Sequence, residues 1–177
     1  MTDQTSAGNA AAGSDATGAS NAPVFTIERI YVKDLSLENP NSPKSFLLQD
    51  SPQIEVSLQT RGEPVGDGIF ESVLTITVTA KVGEQTIFLV EVAQAGIFQI
   101  RNIPEQDMQP ILGVHCPNIL FPYARENISS AITHAGYPPV HLAPINFDAL
   151  YAQQLQQMQS AQGAQTAPES SIIQTTH

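Results

Sequence analysis

The side chains of this 177-residue sequence that could carry chemistry are one cysteine, four histidines and seventeen carboxylates. His115-Cys116 invites a metal or thiol reading. A structural zinc site takes four ligands, and no second pair stands at ligand spacing; His134 and His141 flank loop residues and are not an i, i+4 pair on a helix. A nucleophilic Cys116 would need a positioned base, and the sequence identifies none. Gly66-Asp67-Gly68 lacks the spacing and the strand-to-helix setting of a phosphate loop and reads as a turn. Asn127-Ile128-Ser129 satisfies a glycosylation sequon but falls within a helical pattern. With no catalytic constellation, the expectation is a protein that is not an enzyme, with no metal and no cofactor. A lone cysteine also excludes an intrachain disulfide.

What remains is charge and apolar surface. Seven basic against seventeen acidic residues give a net charge of -10, and no Lys or Arg follows Arg125. Such a balance argues against nucleic acid, whose counterions a basic surface must replace, and against anionic membranes; it suits basic partners. The N-terminus shows neither the basic nor the apolar region of a secretory signal, and no segment approaches a membrane span. The expected setting is a soluble, reducing one, the cytoplasm.

The elements that position these groups lie between two polar tails. After Met1 no large apolar side chain occurs until Val24, and from about Ser160 the chain is again Gln, Ala, Ser and Thr. Neither stretch can bury enough apolar surface to offset the entropy of ordering it. The expected organisation is a disordered extension over 1–24, one folded domain over 25–159 and a disordered tail over 160–177.

Inside the domain, Phe25 to Glu38 alternates apolar and polar residues with a phase change near Arg29-Ile30 that suits a bulge. Ile54, Val56 and Leu58 point one way from a second strand. Ile69 to Val82 sets Leu74, Ile76 and Val78 against Thr75, Thr77 and Thr79, and after the Gly83-Glu84 turn Ile87 to Ile100 completes a hairpin. The period then lengthens to about 3.6. Leu120, Ala124, Ile128 and Ile132 form the stripe of a helix over Pro117–Ile132, with Pro122 kinking it or marking its first turn. Asn146 can cap a second helix, Phe147 to Gln157, with Phe147, Leu150, Tyr151 and Leu155 as its apolar face. Strands first and helices last imply an α+β domain: a four-stranded antiparallel sheet with helices on one face.

Several of these segments resemble the SecB family, in the family's order: Arg29-Ile30-Tyr31-Val32-Lys33-Asp34, Val78-Thr79-Ala80, Gly96-Ile97-Phe98, Cys116-Pro117-Asn118 with Ile119-Leu120-Phe121-Pro122-Tyr123-Ala124-Arg125-Glu126, and Leu142-Ala143-Pro144-Ile145-Asn146-Phe147-Asp148-Ala149-Leu150. The likeness spans roughly Phe25 to Gln157. It implies a chaperone that binds unfolded precursor proteins and delivers them to the export ATPase SecA for the SecYEG channel, assembled as a homotetramer, a dimer of dimers. The departures are a longer N-terminal extension, a Gly- and Pro-rich connection around Arg61 to Gly68, and Val90 where the family often has Cys.

The resemblance also implies site residues. Asp34, Glu38, Leu89 and Glu91 match an acidic patch that docks the zinc-bearing C-terminal segment of SecA; the zinc belongs to the partner. Leu89 and Glu91 share a strand face, so a carboxylate sits beside an apolar anchor, although the acids alone read equally as solvated. Val90, Val92 and Gln94, with Leu120, Ala124 and Ile128 of the long helix, match positions used in subunit assembly, and core packing accounts for the same pattern. Ile54, Val56 and Leu58 with Phe147, Leu150, Tyr151 and Leu155 are the candidate client groove; the alternative is that they pack the sheet against the second helix. A related chaperone serving a toxin–antitoxin pair is the competing function, and the intact docking residues weigh against it.

Overall fold

The computed structural model describes residues 21–164, so most of the tails expected over 1–24 and 160–177 lies outside the described residues. Four strands, β1 (Val24–Glu38), β2 (Gln53–Gly66), β3 (Ile69–Val82) and β4 (Gln85–Arg101), make one antiparallel sheet in the order β1-β4-β3-β2. Gly83, at φ 55, supplies the left-handed conformation that the tight β3–β4 turn demands. Leu74, Ile76, Val78 and Ala80 are fully buried on one face of β3, while Thr75, Thr77 and Thr79 lie half-buried on the other.

β1 carries two register shifts, between Ile27 and Arg29 and between Val32 and Asp34. The first is the expected phase change; the second is an additional bulge at Lys33. Each inserts one residue and reverses which parity faces the core. Phe25, Ile27, Ile30, Val32, Leu35 and Leu37 therefore all share the face of Val90 and Val92, although their numbers change from odd to even and back.

The helical layer starts earlier than periodicity suggests. A short helix, α1 (Glu105–Pro110), runs through a π-turn over Ile111–His115 into α2 (Cys116–His134). The widened turn lies between Pro110 and Pro117, neither of which can donate an amide hydrogen bond. Pro122 sits inside α2 on its solvent side. α2 lies across β3 and β4 and buries Leu120, Ala124, Ile128 and Ile132, the expected stripe, together with Phe121.

The last helix, α3 (Phe147–Ala164), extends beyond the expected end at Gln157. Asn146 caps it, its side-chain oxygen accepting from the Ala149 amide at 3.0 Å. α3 does not lie flat on the sheet. It rests on the π-turn, and Phe147 alone of its apolar face is buried, edge-on to Phe121 at a centroid distance of 6.0 Å.

The six residues expected at a subunit interface, for which core packing was the alternative, are buried within the single chain. Val90, Val92 and Gln94 on β4 and Leu120, Ala124 and Ile128 on α2 are each at most 2% exposed in the single chain. In the single chain they form the contact between this sheet and this helix. Strand alternation and a helical stripe read the same for either partner. The opposite side of α2 exposes Asn118, Tyr123, Arg125 and Glu126.

Candidate functional site

Because α2 covers β3 and β4 and α3 stands off, the inner face of edge strand β2 is left open. Ile54, Val56 and Leu58 pair with the fully buried Ala80, Val78 and Ile76 of β3, yet Val56 is 48% exposed. Across from them stand Leu150 and Tyr151, half-buried, and Leu155, 41% exposed. Of the expected groove residues, Val56, Leu58, Leu150 and Tyr151 thus stand around the buried Phe147, Leu155 borders an adjoining cleft, and Ile54 lines neither. Two adjoining clefts fill the gap. One of about 340 Å³ lies between Val56, Leu58, Phe147 and Leu150, and one of about 390 Å³ reaches Gly62, Leu112, Leu155 and Met158; Thr60, Gly113 and Tyr151 border both.

Gly113, in the π-turn, is what allows α3 to approach here. A β-carbon at that position would stand 2.9 Å from Cδ2 of Tyr151, closer than side chains tolerate. The ring of Tyr151 lies on bare backbone, and the wall it forms depends on that glycine.

At the Ile54 end of β2 lies a separate aromatic recess of about 440 Å³ that sequence reasoning missed. It is lined by Phe46, Ile54, Phe88, Tyr137 and Pro139 among others. The Tyr137 ring lies 5.0 Å from that of Phe46 and 5.1 Å from that of Phe88. Tyr137 donates its hydroxyl proton to Asn39 Oδ1 at 2.8 Å, and the Ser45 hydroxyl, also at 2.8 Å, is placed to donate to Tyr137. The recess is therefore held by a hydrogen-bonded post, with Phe88 buried, Tyr137 half-buried and Phe46 exposed. Leu48, 37% exposed, also lines it. The signal in the sequence was Phe46-Leu47-Leu48, three large apolar residues in a Pro- and Ser-rich connection where a solvated loop should be polar.

The outer face of the sheet is different in kind. Glu38 pairs with Leu89, Ser36 with Glu91 and Asp34 with Ala93, so the four expected docking residues share one face beside the threonines of β3. The Lys33 bulge is what brings Asp34 and Glu38 there. Thr77 donates to Glu91 at 2.7 Å and fixes that carboxylate; Asp34 and Glu38 stand in solvent. Farther along, buried Glu71 accepts from the Tyr31 hydroxyl and from Lys33 Nζ, the latter at 2.5 Å. Those donors hold its carboxyl below the usual range, the Lys33 bond first and Tyr31 second. In turn the bond to Glu71 pushes the Tyr31 hydroxyl up to about 12.

Cys116 is fully buried, and burial pushes its thiol to about 12, so no reactive thiolate is present at neutral pH. His115, His134 and His141 are exposed, and among the described residues no three His, Cys, Asp or Glu side chains come together as a metal site. No helix among them is long and apolar enough to cross a membrane.

Residues 18–158 match the family described as SecB, preprotein translocase subunit SecB. The protein-export protein SecB of Chromobacterium violaceum is 63% identical over 142 residues, covering 80% of this chain and 95% of that protein. That of Dechloromonas aromatica is 57% identical over 139 residues, 78% of this chain and 91% of the other. Among solved structures, a SecB-like chaperone of Mycobacterium tuberculosis in complex with an antitoxin peptide superposes with a TM-score of 0.58 at 14% identity, over 68% of this chain and 90% of its own. At that identity the likeness speaks for the fold alone.

Proposed function

The chain belongs to the SecB family, and from that premise we propose that it binds preproteins along the β2–α3 groove, keeps them unfolded and passes them to SecA. It is a chaperone of protein export. Service to a toxin–antitoxin pair is not favoured, since relatives at 53 to 63% identity are protein-export proteins.

One observation carries the binding step: apolar side chains stand exposed or half-buried along the inner side of β2 and the facing side of α3, at Ile54, Val56, Leu58, Leu150 and Leu155, with the Phe46 recess beside Ile54. Hydrophobic attraction is non-directional, so such a groove reads exposed apolar residues rather than a sequence. From Ile54 to Gly62 the strand spans about 27 Å, room for roughly eight extended client residues. Burying about 400 Å² of client apolar surface yields ~10 kcal/mol before ordering costs are subtracted. That is enough for retention and not so much as to prevent release.

Transfer to SecA uses the outer face, where Glu38 and Glu91 flank Leu89 and Asp34 lies farther along the same face. Charge complementarity with the basic, zinc-bearing C-terminal segment of SecA supports this assignment. The two functions then occupy opposite faces of one sheet, and a loaded groove leaves the docking face free. Assembly as a dimer of dimers is supported by the unpaired edge of β1, which exposes Phe25, Ile27, Val32 and Leu35 on its inner side, and by the solvent side of α2. No enzymatic step is part of this reading.

The test is aggregation of a chemically denatured protein followed by light scattering without ATP. The purified chain should suppress it, elute at four times its 19.0 kDa mass and be retained by immobilised SecA. A monomer that leaves aggregation unchanged would refute the proposal.

A further inference from the structure

The docking face is not uniformly acidic. Lys33 adjoins Asp34 in the chain, and Arg61 lies across a recess of about 380 Å³ that Lys33, Asp34, Gln59, Arg61, Thr75 and Ala93 line. A basic partner approaching Asp34 would meet both cations. Each is engaged elsewhere: Lys33 Nζ lies 2.5 Å from Glu71 Oε2, and Arg61 Nη2 lies 2.5 Å from Glu63 Oε2. Asp34 has no hydrogen bond or ion pair among the described residues.

Glu71 is unusual for its position. It projects from the outer face of β3, opposite Ile97 of β4 and Glu63 of β2, yet it is 6% exposed. Burying a carboxylate is costly unless it is paired and hydrogen-bonded, and both conditions are met by Lys33 and Tyr31 from β1. Lys33 is the bulged residue, so its stem reaches sideways over the sheet while Asp34 regains the regular ladder. Bulge and clamp together separate two adjacent residues of opposite charge.

We propose that Glu71 is a positioning residue of the docking face: by holding Lys33 it leaves Asp34 uncompensated, so that Asp34 and the recess beside it receive a basic side chain of the partner. The proposal rests on the docking reading above. The small side chains of Ala93 and Thr75 floor the recess and accommodate the aliphatic stem of an arginine or lysine, whose charged head then meets Asp34. Without Glu71 the Lys33 ammonium is free to pair with Asp34, and the incoming charge is met by a cation.

The experiment is a calorimetric titration of the zinc-loaded C-terminal segment of SecA into the full chain at low salt. Glu71→Gln should weaken binding about fivefold, Asp34→Asn by about tenfold, and the double variant Lys33→Met/Glu71→Gln should return to within about twofold of the original. Lys33→Met alone should bind at least as tightly as the unaltered chain. The Glu71→Gln deficit should shrink as salt is raised. Rescue by the double variant separates positioning from damage to the fold, which would persist. If Glu71→Gln binds normally, or the double variant stays as weak as Glu71→Gln, or Lys33→Met weakens binding, the role of Glu71 is overturned. A weakened Asp34→Asn in that case leaves the docking reading standing. An unaffected Asp34→Asn, or an unaltered chain that does not bind the segment, removes the docking reading and the proposal with it.

Discussion

Asn127 on α2 and Gln94 on β4 are joined through their side chains, Nδ2 of the first donating to Oε1 of the second at 2.8 Å. Gln94 donates in turn to the backbone carbonyl of Tyr31 on β1, also at 2.8 Å. One buried amide thereby ties the helix layer to the edge strand, in a core otherwise closed by Leu120, Ala124 and Ile128. Replacing Gln94 by Leu should cost about 1 to 3 kcal/mol, because it leaves the Asn127 amide and the Tyr31 carbonyl without this partner. The double variant Gln94→Leu/Asn127→Leu should recover part of the loss, since one orphaned group goes with it. Urea unfolding midpoints of the unaltered chain, Gln94→Leu, Asn127→Leu and the double variant measure both terms.

Groove residues should separate binding from stability. Val56 and Val78 pair across β2 and β3 on the same face, but Val56 is 48% exposed and Val78 fully buried. Val56→Asp should change the thermal midpoint little, as surface substitutions do (within about 0.5 kcal/mol), while raising several-fold the concentration needed to keep a denatured protein in solution. Val78→Asp should fail to fold, because it buries an unpaired charge. Equal effects on stability would show that the inner face of β2 belongs to the core.

The sheet, its long hairpin and the stripe of α2 were legible in the sequence because alternation and a 3.6-residue period report directly on which face is buried. The groove residues were named from the resemblance, but their alternation could not separate an open groove from packing against the second helix, since Ile54, Val56 and Leu58 alternate as any packed strand does and only the stand-off of α3 uncovers them. The aromatic recess escaped because Phe46, Phe88 and Tyr137 lie far apart in the chain and share no period. The parity of β1 after Lys33 was hidden for a related reason: the bulge is visible only in the register with β4. The six residues expected at an interface show the converse, a pattern legible as buried that does not by itself say which surface buries it.

Gly113 offers a test of how α3 is held. Gly113→Ala would push a methyl group to 2.9 Å from the Tyr151 ring, an overpacking that costs about 1 to 3 kcal/mol where the neighbour cannot yield. Here the neighbour belongs to the loosely seated α3. The expected outcome is therefore displacement of that helix, not loss of the fold: faster amide hydrogen exchange along α3, unchanged protection in β3 and β4, and weaker retention of unfolded protein. Uniform loss of protection across the sheet would contradict it.

The Tyr31–Glu71–Lys33 cluster should mark both ends of the pH–stability profile. Glu71 is held below its ordinary 4.5, chiefly by the Lys33 bond and then by Tyr31. Its stabilising contribution is thus fully present above 4.5 and is lost as pH falls through the lower folded value. Tyr31 is raised from 10.0 to about 12 by the bond to Glu71 first and burial second. Its contribution is complete below 10.0 and disappears as pH climbs towards 12, because the unfolded chain gives up the proton first. Chemical unfolding across pH should show the unaltered chain losing its advantage over Glu71→Gln in the acid window, and over Tyr31→Phe in the alkaline one. Between those windows both differences should be flat. A difference that varied near neutrality would contradict this assignment.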